Sequence, residues 1–212
     1  MGRTLPEQYR VLASPSRIEL LYALQTRGSQ SIEQLAEICD LHTNTTREHL
    51  HRLIDAGFVR SESIRRASRG RPRMLYSIAD TLADSATAQR VRDAYERADL
   101  VRSIVAPKSV SPQPSTSDRQ LDVLEDQLDT CGFDATVERD DDPDATRITV
   151  HHCPYYDLAG RHPHVCDVHF GMLGTALTLT DGPLEASDLH ARDPEKGCWV
   201  TLTRREHARR IA

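Results

Sequence analysis

Lysine is nearly missing from this 212-residue chain: of its 27 basic residues, only Lys108 and Lys196 are lysines. The cationic surface is therefore arginine, whose planar, permanently charged guanidinium suits two-point contacts with phosphate or guanine. Aromatic residues are few, at 5% of the chain, and mean hydropathy is negative. No apolar run approaches the roughly 18–20 residues that a membrane span needs, so we expect a soluble chain without a membrane partner. The first residues, Met-Gly-Arg-Thr-Leu-Pro-Glu-Gln, lack an apolar signal core, which points to the cytoplasm. A Gly-rich phosphate loop and a Gly-x-Ser-x-Gly elbow are both missing, and the expectation is a protein that is not an enzyme. Cysteines are five, an odd number, at positions 39, 131, 153, 166 and 198. None forms a Cys-x-x-Cys knuckle. In a cytosolic chain, cysteines clustered with histidines suit a metal better than disulfides.

Net charge is −5, but it is unevenly spread. Residues 1–110 carry 17 Lys+Arg against 13 Asp+Glu, and residues 111–212 carry 10 against 19. The asymmetry suggests a nucleic-acid-facing half and a half facing something else.

From the N-terminus, Val11, Leu12, Ile18, Leu20, Leu21 and Leu24 recur at helical spacing, interrupted by Ser14-Pro15, an N-cap followed by a first-turn proline. A third helix opens at Ser31, whose Ser-x-x-Gln pattern is a capping box. After a turn at Asp40–His42, a fourth helix is expected from about Thr45 to Ala56, with Leu50, Leu53 and Ile54 buried and Gly57 as its cap. Strands Phe58–Ile64 and Arg73–Ile78 would form a hairpin around an arginine-rich turn. Short helices, a tight turn, a polar-fronted helix and a hairpin make a winged helix-turn-helix over residues 1–80. Asn44, Thr45, Thr46, Arg47 and His51 on that helix, and Arg69, Arg71 and Arg73 on the wing, are the candidate contacts to double-stranded DNA.

Residues 81–117 hold an amphipathic helix and a Pro/Ser linker. The helix, spanning about Ala79–Ala106, carries Val91, Ala94, Tyr95, Ala98, Val101, Ile104 and Val105 on one stripe, and a symmetric homodimer would cover it. Residues 118–212 read as a small α+β domain: a helix at Asp118–Thr130, strands at Phe133–Arg139 and Thr146–His151, and a loop at Cys153–His162. A helix at Pro163–Thr178 and strands at Ser187–Arg192 and Cys198–Thr203 follow. The overall class is α+β.

Leu41 to Leu50, Leu53 to Val59, and Gly70-Arg71-Pro72-Arg73 with Tyr76 resemble the winged-helix regulators of the ArsR/DeoR-like group. Within it they are most similar to the branch of SufR-like iron–sulfur repressors, over roughly residues 8–80. His151-His152-Cys153-Pro154-Tyr155, His162-Pro163-His164-Val165-Cys166-Asp167-Val168-His169 and Gly197-Cys198 resemble the sensor half of those regulators. The resemblance implies a repressor that binds a palindromic operator as a homodimer, with the Cys-x₁₂-Cys pair Cys153 and Cys166 holding an iron–sulfur cluster. Cys198 would be a third ligand and His169 the first candidate for the fourth, ahead of His152, His164 or a small molecule.

Read without the resemblance, the same thiolates suit a cluster, zinc or copper(I), and three cysteines with one histidine would equally hold zinc. They could also be small apolar packing residues in a domain that binds an organic ligand. Cys39 and Cys131 read as packing residues. A thiol enzyme is disfavoured, because Cys166 and His169, three apart on one helix, lack a third orienting group.

Overall fold

The computed structural model describes residues 7–64, 73–79, 85–105, 113–139, 145–193 and 197–205. They divide into two compact units, one of residues 1–80 with 155–171, the other of residues 81–154 with 172–212. The sequence placed all of 118–212 in one C-terminal domain. Residues Tyr155–Gly171 instead pack with the N-terminal unit.

The N-terminal unit begins with α1 (Glu7–Arg10), a 3₁₀ turn (Val11–Ala13) and α2 (Pro15–Arg27). Ser14 is the extended N-cap of α2; its carbonyl, rather than its side chain, accepts from Arg17 and Ile18. Strand β1 (Gln30–Ser31) leads into α3 (Ile32–Ile38), whose capping box forms as the sequence predicts. The Ser31 amide donates to Gln34 Oε1 at 2.9 Å, and the Gln34 amide donates to Ser31 Oγ at 3.4 Å.

Helix α3 ends at Ile38 with Cys39 as its cap, and the next residue, Asp40, takes a left-handed φ of 50°, a conformation that Asp tolerates better than most non-glycine residues. The Leu41 amide then reaches back to the Ala36 carbonyl, closing the helix end. Helix α4 (Thr43–Asp55) follows at once. It starts two residues before the expected Thr45 because the His42 imidazole Nδ1 caps it, accepting from the Asn44 amide at 3.3 Å. At its other end Gly57 takes φ 80°, and the Phe58 amide donates to the Leu53 carbonyl.

Strands β2 (Val59–Ile64) and β3 (Arg73–Ile78) pair antiparallel, and β1 adds to the far side of β3, giving the order β1-β3-β2. Residues 65–72 between β2 and β3 lie outside the described residues, and with them Arg69 and Arg71. The core of this unit is aliphatic: Leu12, Ile18, Leu20, Leu24, Leu35, Leu50 and Leu53 are fully buried. Each such side chain contributes about 1.5–3 kcal/mol relative to exposure. Helix α7 (Tyr156–Ala159) and the first part of α8 (His164–Thr178) complete the unit and bury Tyr155, Ala159, Val165 and Val168.

The second unit holds α5 (Ser85–Val105), α6 (Thr116–Thr130) and a four-stranded antiparallel sheet. Its strands are β4 (Asp134–Arg139), β5 (Ala145–His152), β6 (Leu184–Asp193) and β7 (Gly197–Arg204), in the order β4-β5-β7-β6. Ile148 and Val200 face each other across β5 and β7 and are buried, as alternation requires of one covered face. The opposite face carries Thr149, Trp199 and His190, with the His190 ring stacked on Trp199 at 4.4 Å. Buried Gln120 on α6 pins the end of α8 to the start of β6. Its Nε2 donates to the carbonyls of Leu177 (2.9 Å) and Leu184 (3.0 Å), and its Oε1 accepts from the Leu184 amide (2.7 Å). Among the described residues no helix is long and apolar enough to cross a membrane.

Candidate nucleic-acid interface

Two faces of α4 follow from its residue spacing. Thr46, Leu50 and Leu53, at i, i+4 and i+7, form the buried stripe. Asn44, Thr45, Arg47, Glu48, His51, Arg52 and Asp55 form the exposed one. Thr46 was expected among the DNA contacts, and the fold corrects this. It is 0% exposed, and its hydroxyl donates to the His42 carbonyl at 3.2 Å, so it anchors the first turn instead. The other four helix candidates, Asn44, Thr45, Arg47 and His51, all reach solvent.

The exposed face is already ordered by its own hydrogen bonds. Arg47 Nη1 donates to Asn44 Oδ1 at 2.8 Å, and Arg52 Nη2 meets Glu48 Oε1 at 2.5 Å. Asn44 lies in the first turn, where free amides and the helix dipole favour an anion such as phosphate. Arginine matches the acceptors of guanine, asparagine those of adenine, and a carboxylate can accept from cytosine. Glu48 and Arg52 were not singled out from the sequence. Glu48 lies four residues after Asn44 and Arg52 four after Glu48, and that spacing was the available signal, since it puts the three on one polar stripe.

His49 lies on the flank of α4, and its Nδ1 is buried without a hydrogen-bond partner. Burial, reinforced by Arg17 and Arg52, pushes its pKa below the ordinary histidine value. It therefore adds no cation to the interface at neutral pH.

Arg73, the one described wing arginine among the candidates, is engaged within the fold. Its Nη2 donates to Ser31 Oγ at 2.8 Å and to Gln34 Oε1 at 3.1 Å. The reason is register: Ser31 pairs with Leu75, which brings Arg73 beside the first turn of α3. Arg73 thus ties the hairpin to α3. In β2, Arg60 is exposed, donating from Nε to Ser77 Oγ at 3.0 Å and lying 3.4 Å from Glu62.

The cysteine and histidine candidates occupy separate elements. Cys153 follows β5, Cys166 and His169 lie on α8, and Cys198 begins β7. All three cysteines are half-buried. Cys198 pairs with Val150, three residues before Cys153, an offset of about 10 Å along the strand. Among the described residues no three His, Cys, Asp or Glu side chains are grouped to hold a metal ion. The donor types suit a soft metal or cluster. Cys39 caps α3 and is a packing residue. Burial, with Glu19 adding to it, pushes its thiol up to about 11, so it stays protonated and unreactive at neutral pH.

His169 is enclosed and stands 4.6 Å from the Tyr155 ring; burial pushes its pKa down to about 4, against the contact of Nδ1 with the Val165 carbonyl at 2.7 Å. Above the ordinary value of 6.5 the ring is neutral in both folded and unfolded chains, and the fold keeps its full stability. As pH falls below 6.5 the unfolded chain takes up the proton first, so stability is lost down to about pH 4 and no further. The expected loss is on the order of 3 kcal/mol. Urea midpoints of chelator-treated protein should fall with acid more steeply than those of His169→Leu. Parallel curves would contradict it.

Residues 12–62 match the family model described as a helix-turn-helix domain. No curated protein matches the chain. The matched stretch runs from the 3₁₀ turn into β2 and contains α3, the Cys39–His42 turn and α4. The similarity is thus to a domain that marks DNA-binding regulators, and it covers the helix whose polar face is exposed here.

Proposed function

We propose that this protein is a cytoplasmic winged-helix transcription regulator that binds a palindromic operator in double-stranded DNA as a homodimer. The observation that carries this is α4. It is a capped helix with Asn44, Thr45, Arg47, Glu48, His51 and Arg52 on one exposed face, seated on a leucine core and followed by a hairpin. Such a helix enters the major groove, and the hairpin lies against the neighbouring backbone or minor groove. Arg69 and Arg71, together with the remaining donors of Arg73, are the proposed wing contacts.

The homodimer is supported by α5. Its last two turns expose Leu100 (62%), Val101 (59%), Ile104 (75%) and Val105 (77%), a stripe at i, i+1, i+4 and i+5 that gains from burial against its symmetry mate. Val101→Asp with Ile104→Asp is expected to give a monomer in sedimentation and to reduce operator binding to that of a half-site. A dimer persisting in that variant would remove α5 from the interface.

The regulatory part of the proposal is that Cys153, Cys166 and Cys198, with His169, hold an iron–sulfur cluster that modulates operator binding. Zinc on the same ligands, or an organic ligand in the C-terminal part, is the alternative. What supports the cluster is donor chemistry: thiolates are soft ligands, and histidine can replace a missing cysteine. Protein purified without oxygen is expected to contain iron and sulfide and to absorb visible light, and Cys→Ser changes at 153, 166 and 198 to abolish both. Zinc without iron or sulfide would select the zinc alternative. Metal-free protein that regulates DNA binding normally would refute metal sensing.

A further inference from the structure

Tyr155–Gly171 stands out because its neighbours in sequence, Pro154 and Met172, belong to the other unit, while it packs within the N-terminal one. Its contacts are specific. The Tyr155 hydroxyl donates to the Tyr9 carbonyl at 3.0 Å, buried from solvent. The His164 ring stacks on Tyr22 at 3.9 Å, nearly parallel at 8°, and its Nδ1 lies 2.8 and 3.0 Å from the two oxygens of Glu19. Gln25 Nε2 donates to the Val168 carbonyl at 3.2 Å. Gly171 allows the close approach, since a Cβ there would come within 2.6 Å of Gln25 Nε2.

Glu19, Tyr22 and Gln25 recur every three residues, so they are one stripe along α2. Helix α2 also packs on α3 and α4. One helix therefore receives the docked segment and supports the helix with the exposed polar face. Packed helices shift as bodies, so a change in how the segment seats on α2 is passed to α4.

We infer that Tyr155, His164, Glu19 and Gln25 are positioning residues for DNA recognition: Tyr155 holds the start of the docked segment to Tyr9 of α1, His164 and the Val168 carbonyl seat it on Glu19, Tyr22 and Gln25 of α2, and α2 fixes the angle at which α4 meets the groove. This rests on α4 being the DNA-reading helix. Base readout depends on that angle, whereas phosphate attraction depends mainly on charge. Loosening the segment should cost specific binding and spare non-specific binding.

The test uses the full chain with His164→Ala and, as the milder change, Tyr155→Phe, which removes one hydroxyl. Affinity is measured for a selected operator and for random-sequence DNA, over a salt series, with hydrogen exchange followed in the segment and in α4. Both variants are expected to lose specific affinity, by on the order of tenfold for His164→Ala. Affinity for random DNA and the salt slope stay at wild-type values, and exchange rises in both stretches. Unchanged specific affinity despite faster exchange in the segment would overturn the inference. An equal fall on both DNAs would also overturn it, by making the segment a scaffold only. Wild-type protein with no sequence preference would instead defeat the reading on which the inference rests.

Discussion

Asn44→Ala and Arg47→Ala are each expected to weaken operator binding by about 5- to 100-fold, the worth of one good base contact, with little change in stability. Both side chains are exposed on α4, so neither substitution opens a cavity. Because Arg47 donates to Asn44 in the free protein, the two losses will not add. The double variant should fall short of the product of the single effects. Thr46 provides the internal contrast. Buried beneath the same turn, it should lower thermal stability when changed to a charged residue, because the new charge would be unpaired in the core. Fluorescence anisotropy with labelled operator, alongside thermal melts, separates the two outcomes.

Among single substitutions, a large stability effect is expected at Asp122 in the second unit. Its carboxylate is 6% exposed and accepts from Arg102 at 2.6 and 2.7 Å and from Arg119 at 3.3 Å. Asp99 takes a second bond from each of these arginines, and Arg119 also lies 4.6 Å above the Tyr95 ring. Together they fasten α5 to α6. Asp122→Ala removes the buried acceptor and leaves Arg102 and Arg119 with the exposed Asp99 alone, and losing one partner of a buried pair costs about 3–5 kcal/mol. Arg102 and Arg119 are 36% and 25% exposed, so water recovers part of that and about 2–3 kcal/mol is expected. Urea unfolding checks this, with Asp122→Asn, which preserves shape, falling between the two. If α5 carries the dimer contact, Asp122→Ala should also raise the dimer dissociation constant.

Much of the local structure was legible in the residues because each signal acts over three or four positions. Ser31 with Gln34, Gly57 after α4, Pro15 at the start of α2 and the alternation of β5 and β7 all appear where their spacing placed them. What failed to show was long-range. Thr46 reads as polar and therefore exposed, yet its spacing of four and seven residues from Leu50 and Leu53 puts it on the buried leucine stripe. Arg73 reads as a wing cation, yet the pairing of β1 with β3 delivers it to Ser31 and Gln34. Residues 155–171 read as part of the second domain by chain order, and only tertiary packing places them against α2. The exposed face of α4 was legible in type and only partly in membership, since Glu48 and Arg52 follow from a helical projection once the start is fixed.

The central claim is sequence-specific DNA recognition by α4, and its most direct measurement is selection of binding sites from random duplex DNA with the intact chain. The expected result is enrichment of an inverted repeat with half-site centres about 10 base pairs apart, or a multiple of that, with affinity falling steeply as salt rises. Asn44→Ala and Arg47→Ala are also expected to alter the enriched half-site. A pool that stays random, with no retention of duplex DNA even at low salt, would contradict the claim.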